Sequence, residues 1–182
     1  MKKVYLFLAN GFEEVEALTV VDILRRGGVD IKTVSIENGE EVCGSHGIRV
    51  KADLVFDKNG YDDAYMLVLP GGGKGTEAIK AHKGLIGILH KAYNSDKYLA
   101  AICAAPSVFG LEGFLDGKTA VCYPGFELQL IGATIGKSDV CTDGKIITSK
   151  GAGTAMDFSL ELLKILESAE RSDKVKSDIL YN

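Results

Sequence analysis

No Cys-X-X-Cys pair occurs among the four cysteines Cys43, Cys103, Cys122 and Cys141, and the histidines His46, His82 and His90 fall in no ligand spacing. Both absences argue against a structural zinc site, and no bound metal is expected. Positive charge is also short: 21 Lys and Arg stand against 25 Asp and Glu, for a net charge of −4. The basic residues are scattered, so no clustered surface is expected that would neutralise the phosphates of a nucleic acid. Long hydrophobic runs are missing as well. The stretch from Val4 to Ala9 stops at Asn10-Gly11 with no small-residue cleavage site beyond it, unlike a signal peptide. A cytoplasmic protein without a membrane partner is expected, its cysteines free thiols in a reducing compartment. Gly71-Gly72-Gly73 with Lys74 lacks the spacing of a phosphate-binding P-loop. Internal repeats and low-complexity segments are absent too.

What remains is an ordinary globular composition, 46% hydrophobic and 25% charged over 182 residues. That length suits a single domain over residues 1–182 with a core that needs no disulfides. Lys3 to Leu8 is a nearly continuous apolar strand of the kind buried on both faces of a parallel sheet. From Glu13 to Arg26, apolar residues recur at helical spacing until Gly27-Gly28, with Glu13-Glu14 and Arg25-Arg26 complementing the helix dipole. Asp30–Ile36 and Tyr65–Leu69 read as strands, Val42–Lys51 as short strands, and Thr76–Ala81 and Gly84–Tyr93 as helices. Beyond Cys103, a helix is expected at Ser107–Leu111 and strands at Thr119–Cys122, Ile135–Val140 and Ile146–Thr148. A turn is expected at Thr142-Asp143-Gly144, one or two helical turns over Phe126–Ile131, and a helix to about Leu166 capped by Thr154. The charged tail from Glu167 ends in apolar Ile179-Leu180-Tyr181, suited to docking on the domain or a partner chain. His46 reads as a turn residue, and all three histidines read as solvated.

Strands alternating with helices make a mostly parallel sheet covered on both faces, which binds ligands beyond the carboxyl ends of its strands. Those ends bring Ala9-Asn10-Gly11, Pro70-Gly71-Gly72-Gly73, Cys103-Ala104 and Ser149-Lys150-Gly151 to one rim. Cys103 is the candidate reactive atom. It ends the apolar strand Tyr98–Ile102, small residues follow it, and Pro106 suits a first helical turn, the pattern of a nucleophile elbow. Free N–H groups and a helix end there are expected to favour thiolate over thiol. Glu16 lies one turn into the first helix between apolar Val15 and Ala17. Ionised, it would raise the thiol pKa. Protonated, it could donate a hydrogen bond to the sulfur.

Ala9-Asn10-Gly11-Phe12-Glu13-Glu14-Val15-Glu16, Leu69-Pro70-Gly71-Gly72 and Ala101-Ile102-Cys103-Ala104-Ala105-Pro106 together resemble the ThiJ/PfpI superfamily, closest to the branch of the parkinsonism-associated protein deglycase. The resemblance runs from Lys3 to about Leu166. It implies a flavodoxin-like three-layer α/β sandwich, a homodimer, and a reactive Cys103 paired with a protonated Glu16. It also implies that the Gly72 and Ala104 N–H groups face the sulfur or an oxyanion, and that Arg26 lies near the site at the dimer contact. As a helix C-terminal charge, Arg26 is explained equally well.

The chain departs from relatives of this superfamily at two positions. Ala104 stands where protease-like and amidotransferase-like relatives have a histidine, which removes the Cys-His dyad for amide hydrolysis. Tyr123 stands where the deglycase has a histidine, and a phenol is a poor proton shuttle at neutral pH. The function implied is a cofactor-independent deglycase or glyoxalase acting on small 2-oxoaldehydes such as methylglyoxal, or on their early adducts. The alternative is a redox sensor or chaperone in which Cys103 is oxidised to a sulfinate.

Overall fold

Along the strand β1 (Lys3–Leu8), Val4, Leu6 and Leu8 point to one face and Tyr5 and Phe7 to the other, and all five are buried. A period of two with both faces apolar requires cover on both sides. The computed structural model, which describes residues 2–182, supplies it with helices on each face of the sheet. The chain continues through α1 (Glu14–Arg26), β2 (Asp30–Ser35), β3 (Glu41–Cys43), β4 (Arg49–Lys51), β5 (Leu54–Val55) and β6 (Ala64–Leu69). Then come α2 (Gly73–Ala81), α3 (Lys83–Asn94), β7 (Tyr98–Ile102), α4 (Pro106–Leu111), β8 (Thr119–Ala120), β9 (Thr134–Ile135), β10 (Val140–Asp143), β11 (Ile146–Ser149), α5 (Ala155–Leu166) and α6 (Ala169–Asp178).

The central sheet has the order β10-β11-β7-β6-β1-β2-β5, parallel throughout except for β10 against β11. Its parallel strands are doubly wound in the flavodoxin-like manner. β2 and β6 lie on opposite sides of β1, so the winding reverses between β1 and β6, where such sheets open a crevice for ligands. Val4, Leu6, Met66, Val68, Ala100 and Ile102 face the helix layer with Val20, Leu24, Phe158 and Leu162. Phe7, Leu67, Leu69, Leu99 and Ala101 face the opposite layer with Ile79, Leu85, Leu89 and Phe109.

Several local expectations are corrected. The strand expected at Ile135–Val140 is split: Ile135 ends β9 against Ala120, and β10 begins at Val140 and takes in Thr142-Asp143, because Asp143 pairs with Ile146 and leaves Gly144-Lys145 as the hairpin loop. Gly144, at φ 61, supplies the left-handed residue that loop needs. Thr154 precedes α5 without capping it: its hydroxyl bonds to Gly151 O and Ser149 Oγ. Phe126–Ile131, by contrast, forms one of the helical turns expected there, a 3-10 turn at Glu127–Gln129.

The charged tail contains α6, capped by the Ser168 side chain. It buries only Ser172 and Val175, while Arg171 Nε donates to Gly27 O. His82 is less solvated than expected, whereas the His90 side chain stays 44% exposed. His82 accepts from Leu85 N at the start of α3 and packs its ring edge-on to Phe56. His90 pairs with Glu112 beside Phe114.

Candidate active site

β7 ends at Ile102 and α4 starts at Pro106, so Cys103, Ala104 and Ala105 must reverse the chain within a single turn. Cys103 takes φ 66, a left-handed conformation that costs a non-glycine residue about 1 kcal/mol or more. The turn is fastened from both sides. Cys103 N donates to Ser149 O at 2.9 Å, and Tyr123 N donates to Cys103 O at 2.7 Å. The Cys103 side chain is half-buried between buried Ile102 and Ala104.

α1 places Glu16 opposite, with 1% of the residue exposed. Its Oε2 accepts the Gly71 N–H at 2.8 Å, and the same oxygen lies beside the Cys103 thiol at Gly71. A Cβ on Gly71 would lie 2.5 Å from Cys103 Cβ, 2.6 Å from Glu16 Oε2 and 3.0 Å from Cys103 Sγ, so only glycine leaves room for the pair. Gly72 follows at φ 93, where a Cβ would strike Gly11 O at 2.2 Å.

Burial raises the Glu16 carboxyl to about 7, with the Glu13 charge adding to the rise and Cys103 and the Gly71 N–H opposing it. Burial likewise pushes the Cys103 thiol up to about 12, aided by Glu16 and opposed by the Gly72 and Ala104 N–H groups. The expected preference for thiolate is therefore corrected: the N–H groups act in the expected direction, and desolvation beside a carboxylate outweighs them. The thiolate gains most where Glu16 holds the proton. A protonated carboxyl, a thiolate and two N–H groups gathered at one half-buried sulfur can add it to a carbonyl and hold the oxygen that becomes charged.

Of the remaining candidates, Tyr123 borders this pocket. A Cβ on Gly151 would be 3.2 Å from Tyr123 Cδ2 and 3.9 Å from Glu16 Oε1. Arg26 does not reach it. Ten residues beyond Glu16 along α1, it is about 15 Å away by helical rise, and its Nε bonds Asp22 at 2.7 Å.

Gly71 and Gly151 both lie in glycine-bearing loops on the expected rim, but the sequence pattern does not foresee that Gly71 holds Glu16 or that Gly151 adjoins it. It also misses His46. His46 Nδ1 lies 2.9 Å from Glu14 Oε2, across 32 residues of chain, and no local pattern announces such a pair. Glu13, Glu14 and His46 bring one donor atom each within 4.8 Å of one another. Those atoms are taken up in contacts with one another and with Ser45. Among the described residues, no helix is long and apolar enough to cross a membrane.

The sequence pattern of the DJ-1/PfpI family matches residues 2–165. Protein DJ-1 homolog B of Arabidopsis thaliana is 40% identical over 98% of this chain, which spans 41% of that protein's length. The chain thus spans less than half the length of this relative. A deglycase of Pyrococcus horikoshii is 31% identical over 91% of this chain and 99% of its own length. Among solved structures, oxidised Toxoplasma gondii DJ-1 is similar with a TM-score of 0.94 at 35% identity, covering 100% of this chain and 99% of that one.

Proposed function

The chain belongs to the DJ-1/PfpI family, and from that premise we propose that it is a cofactor-independent, cysteine-dependent enzyme of the deglycase and glyoxalase type. Its substrates are small 2-oxoaldehydes such as methylglyoxal, or their early adducts with proteins. The observation that carries this reading is the left-handed Cys103 set against a buried Glu16 whose carboxyl is raised to about 7. A carboxyl poised there can both give and take a proton near neutral pH. The Pyrococcus relative named a deglycase adds support.

In this mechanism the Cys103 thiol adds across the aldehyde carbonyl to give a hemithioacetal, whose oxygen lies toward the Gly72 and Ala104 N–H groups. Glu16 takes the proton from the former aldehyde carbon and returns it to the neighbouring ketone carbon through an enediol. That leaves a lactoyl thioester on Cys103. Water then releases lactate and restores the thiol. Tyr123 forms a wall of the pocket and moves no proton.

The working unit in this reading is a cytoplasmic homodimer of single-domain chains. Val15 and Leu18 are 51% and 38% exposed on α1, and Arg26 falls on the same face as Val15 at helical spacing. A second copy covering α1 would bury the apolar pair and bring Arg26 toward a neighbouring site.

Methylglyoxal consumption with lactate detection tests the enzyme reading, run in amine-free and thiol-free buffer on the wild type, Cys103→Ser and Glu16→Gln. Lactate from the wild type and none from either variant is the expected result. Lactate undiminished in Cys103→Ser would overturn the mechanism.

A second reading is favoured by the oxidised form of the Toxoplasma relative: Cys103 is a redox sensor that forms a sulfinate. Mild peroxide would then add two oxygen atoms at Cys103 and none at Cys43, Cys122 or Cys141. Oxidation spread evenly over the four would count against it.

A further inference from the structure

The loop between β3 and β4 folds over the start of α1. Ser45 Oγ lies 3.0 Å from Oε2 of Glu13, from Oε2 of Glu14 and from His46 Nδ1. His46 Nδ1 is also 3.6 Å from Glu13 Oε1, and His46 N donates to Glu14 Oε1 at 2.8 Å. Proton counting decides the state of this cluster. Ser45 has a single hydroxyl hydrogen to share between two carboxylates, so the short contact between His46 Nδ1 and Glu14 Oε2 needs a proton on Nδ1. Two carboxylates within 3.6 Å of that nitrogen favour the charged ring over the neutral Nδ1–H tautomer, and the imidazolium offsets one of their negative charges.

Glu13 connects the cluster to the pocket. Its main-chain N–H donates to Gly71 O at 3.0 Å, and the N–H of that same Gly71 holds Glu16. Glu13 stands at the N-terminal end of α1 one turn before Glu16, near enough for its charge to act on that carboxyl, and the Cys103 thiol lies beside Glu16 at Gly71; His46 faces Glu13 and Glu14. On the adjoining hairpin, Arg49 is paired with Glu41 and Lys51 with Glu40. His82 and His90 are engaged elsewhere, on Leu85 N and Glu112.

We propose that His46 is a positioning residue for the Cys103–Glu16 pair: held on Ser45, Glu13 and Glu14, its imidazolium sets the negative charge that faces Glu16, and so how firmly the pair keeps its first proton. The proposal rests on reading Cys103 and Glu16 as the reactive pair. The two titrate as a unit, so the first proton lost belongs to both. While His46 is charged, the repulsion from Glu13 is partly cancelled and that proton leaves more readily. Once His46 is neutral, Glu13 acts in full and the pair holds the proton to higher pH. Contact with Glu14 raises the pKa of His46 above its ordinary value, which favours the imidazolium.

The test is the rate of Cys103 alkylation by iodoacetamide against pH, read by peptide mass, on the wild type, His46→Gln, His46→Arg, Glu13→Gln, Glu16→Gln and the double variant Glu13→Gln/His46→Gln. At pH about 6.5, His46→Gln should slow alkylation about threefold and Glu13→Gln should speed it by a similar factor, as one charge at pocket distance in a partly screened medium implies. His46→Arg should keep the wild-type rate there, since it keeps the charge. The double variant should show a smaller His46 effect than the wild-type background does. Equal rates in His46→Gln and His46→Arg, or a His46→Gln profile identical to the wild type, would overturn the proposal. Glu16→Gln separates the two levels: an unmoved profile in that variant defeats the reactive-pair reading and the proposal with it. A moved profile there with unmoved His46 variants defeats the proposal alone. Neither outcome depends on lactate formation.

Discussion

The main-chain N–H of Gly71 donates to Glu16 Oε2 at 2.8 Å, while its α-carbon faces Cys103 so closely that a Cβ would come within 3.0 Å of the sulfur. One residue after β6 thus holds the carboxyl delivered by α1 and leaves space for the sulfur delivered by β7. Because the sheet winding reverses between β1 and β6, these elements meet at the crevice of the fold, and the site needs no long loop to assemble it.

Gly71→Ala is expected to damage the pocket more than the fold. The added methyl must displace Glu16 Oε2 or Cys103 Cβ, which it would meet at 2.6 and 2.5 Å. Overpacking of this kind costs about 1–3 kcal/mol. Urea unfolding should show a loss in that range with an unchanged slope, and the alkylation profile of Cys103 should move.

Glu16→Gln should separate stability from turnover. The Glu16 carboxyl is raised from 4.5 to about 7 in the folded protein, so its contribution to stability is full below pH 4.5 and is lost as pH rises through 7. At pH 8 the variant should be the more stable protein, by on the order of 2–3 kcal/mol. Near pH 5 the difference should shrink toward zero. Removing the carboxylate charge also lowers the Cys103 thiol, so alkylation should speed up while lactate formation stops. Parallel urea curves at the two pH values and an alkylation rate check all three statements.

Glu14→Gln should have the opposite pH dependence. Burial works against the charge of Glu14, but His46, main-chain N–H groups and Ser45 hold its carboxyl down at about 2. A depressed carboxyl gives stability above its ordinary value of 4.5 that is lost as pH falls through 2. The variant should lose about 1–3 kcal/mol at pH 7. At pH near 2 wild type and variant should converge in thermal or urea melts.

Which parts of this molecule can be read from sequence depends on how local their causes are. β1, β6, β7 and α1 are legible because runs and periodicities state which faces are buried. Cys103 is legible because a strand that ends on cysteine before small residues and Pro106 leaves the chain one way to turn. α6 is hidden because only Ser172 and Val175 are buried, too few for an apolar stripe. The Glu14–His46 contact is hidden for a different reason. His46 sits in a turn that looks solvated, and only the closure of the β3–β4 loop over α1 brings it to a carboxylate that is 4% exposed. The Cys103 thiol departs from expectation because N–H groups can be counted along a chain, whereas desolvation depends on everything packed around it.

Tyr123 provides the last prediction, which concerns access to the pocket. Its N–H is committed to Cys103 O at 2.7 Å whatever its side chain, so substitution there preserves the turn. Its ring lies against Gly151, which in turn adjoins Glu16, and 50% of the residue is exposed. A ring in that position forms the outer wall of the pocket. Tyr123→Ala should therefore open the site to larger reagents, raising the rate of Cys103 alkylation by N-ethylmaleimide relative to iodoacetamide by about tenfold. Tyr123→Phe keeps the ring and should leave the ratio unchanged. If the two variants behaved alike, the phenol hydroxyl rather than the ring would govern entry, and Tyr123 would belong with the polar groups of the site instead of its wall.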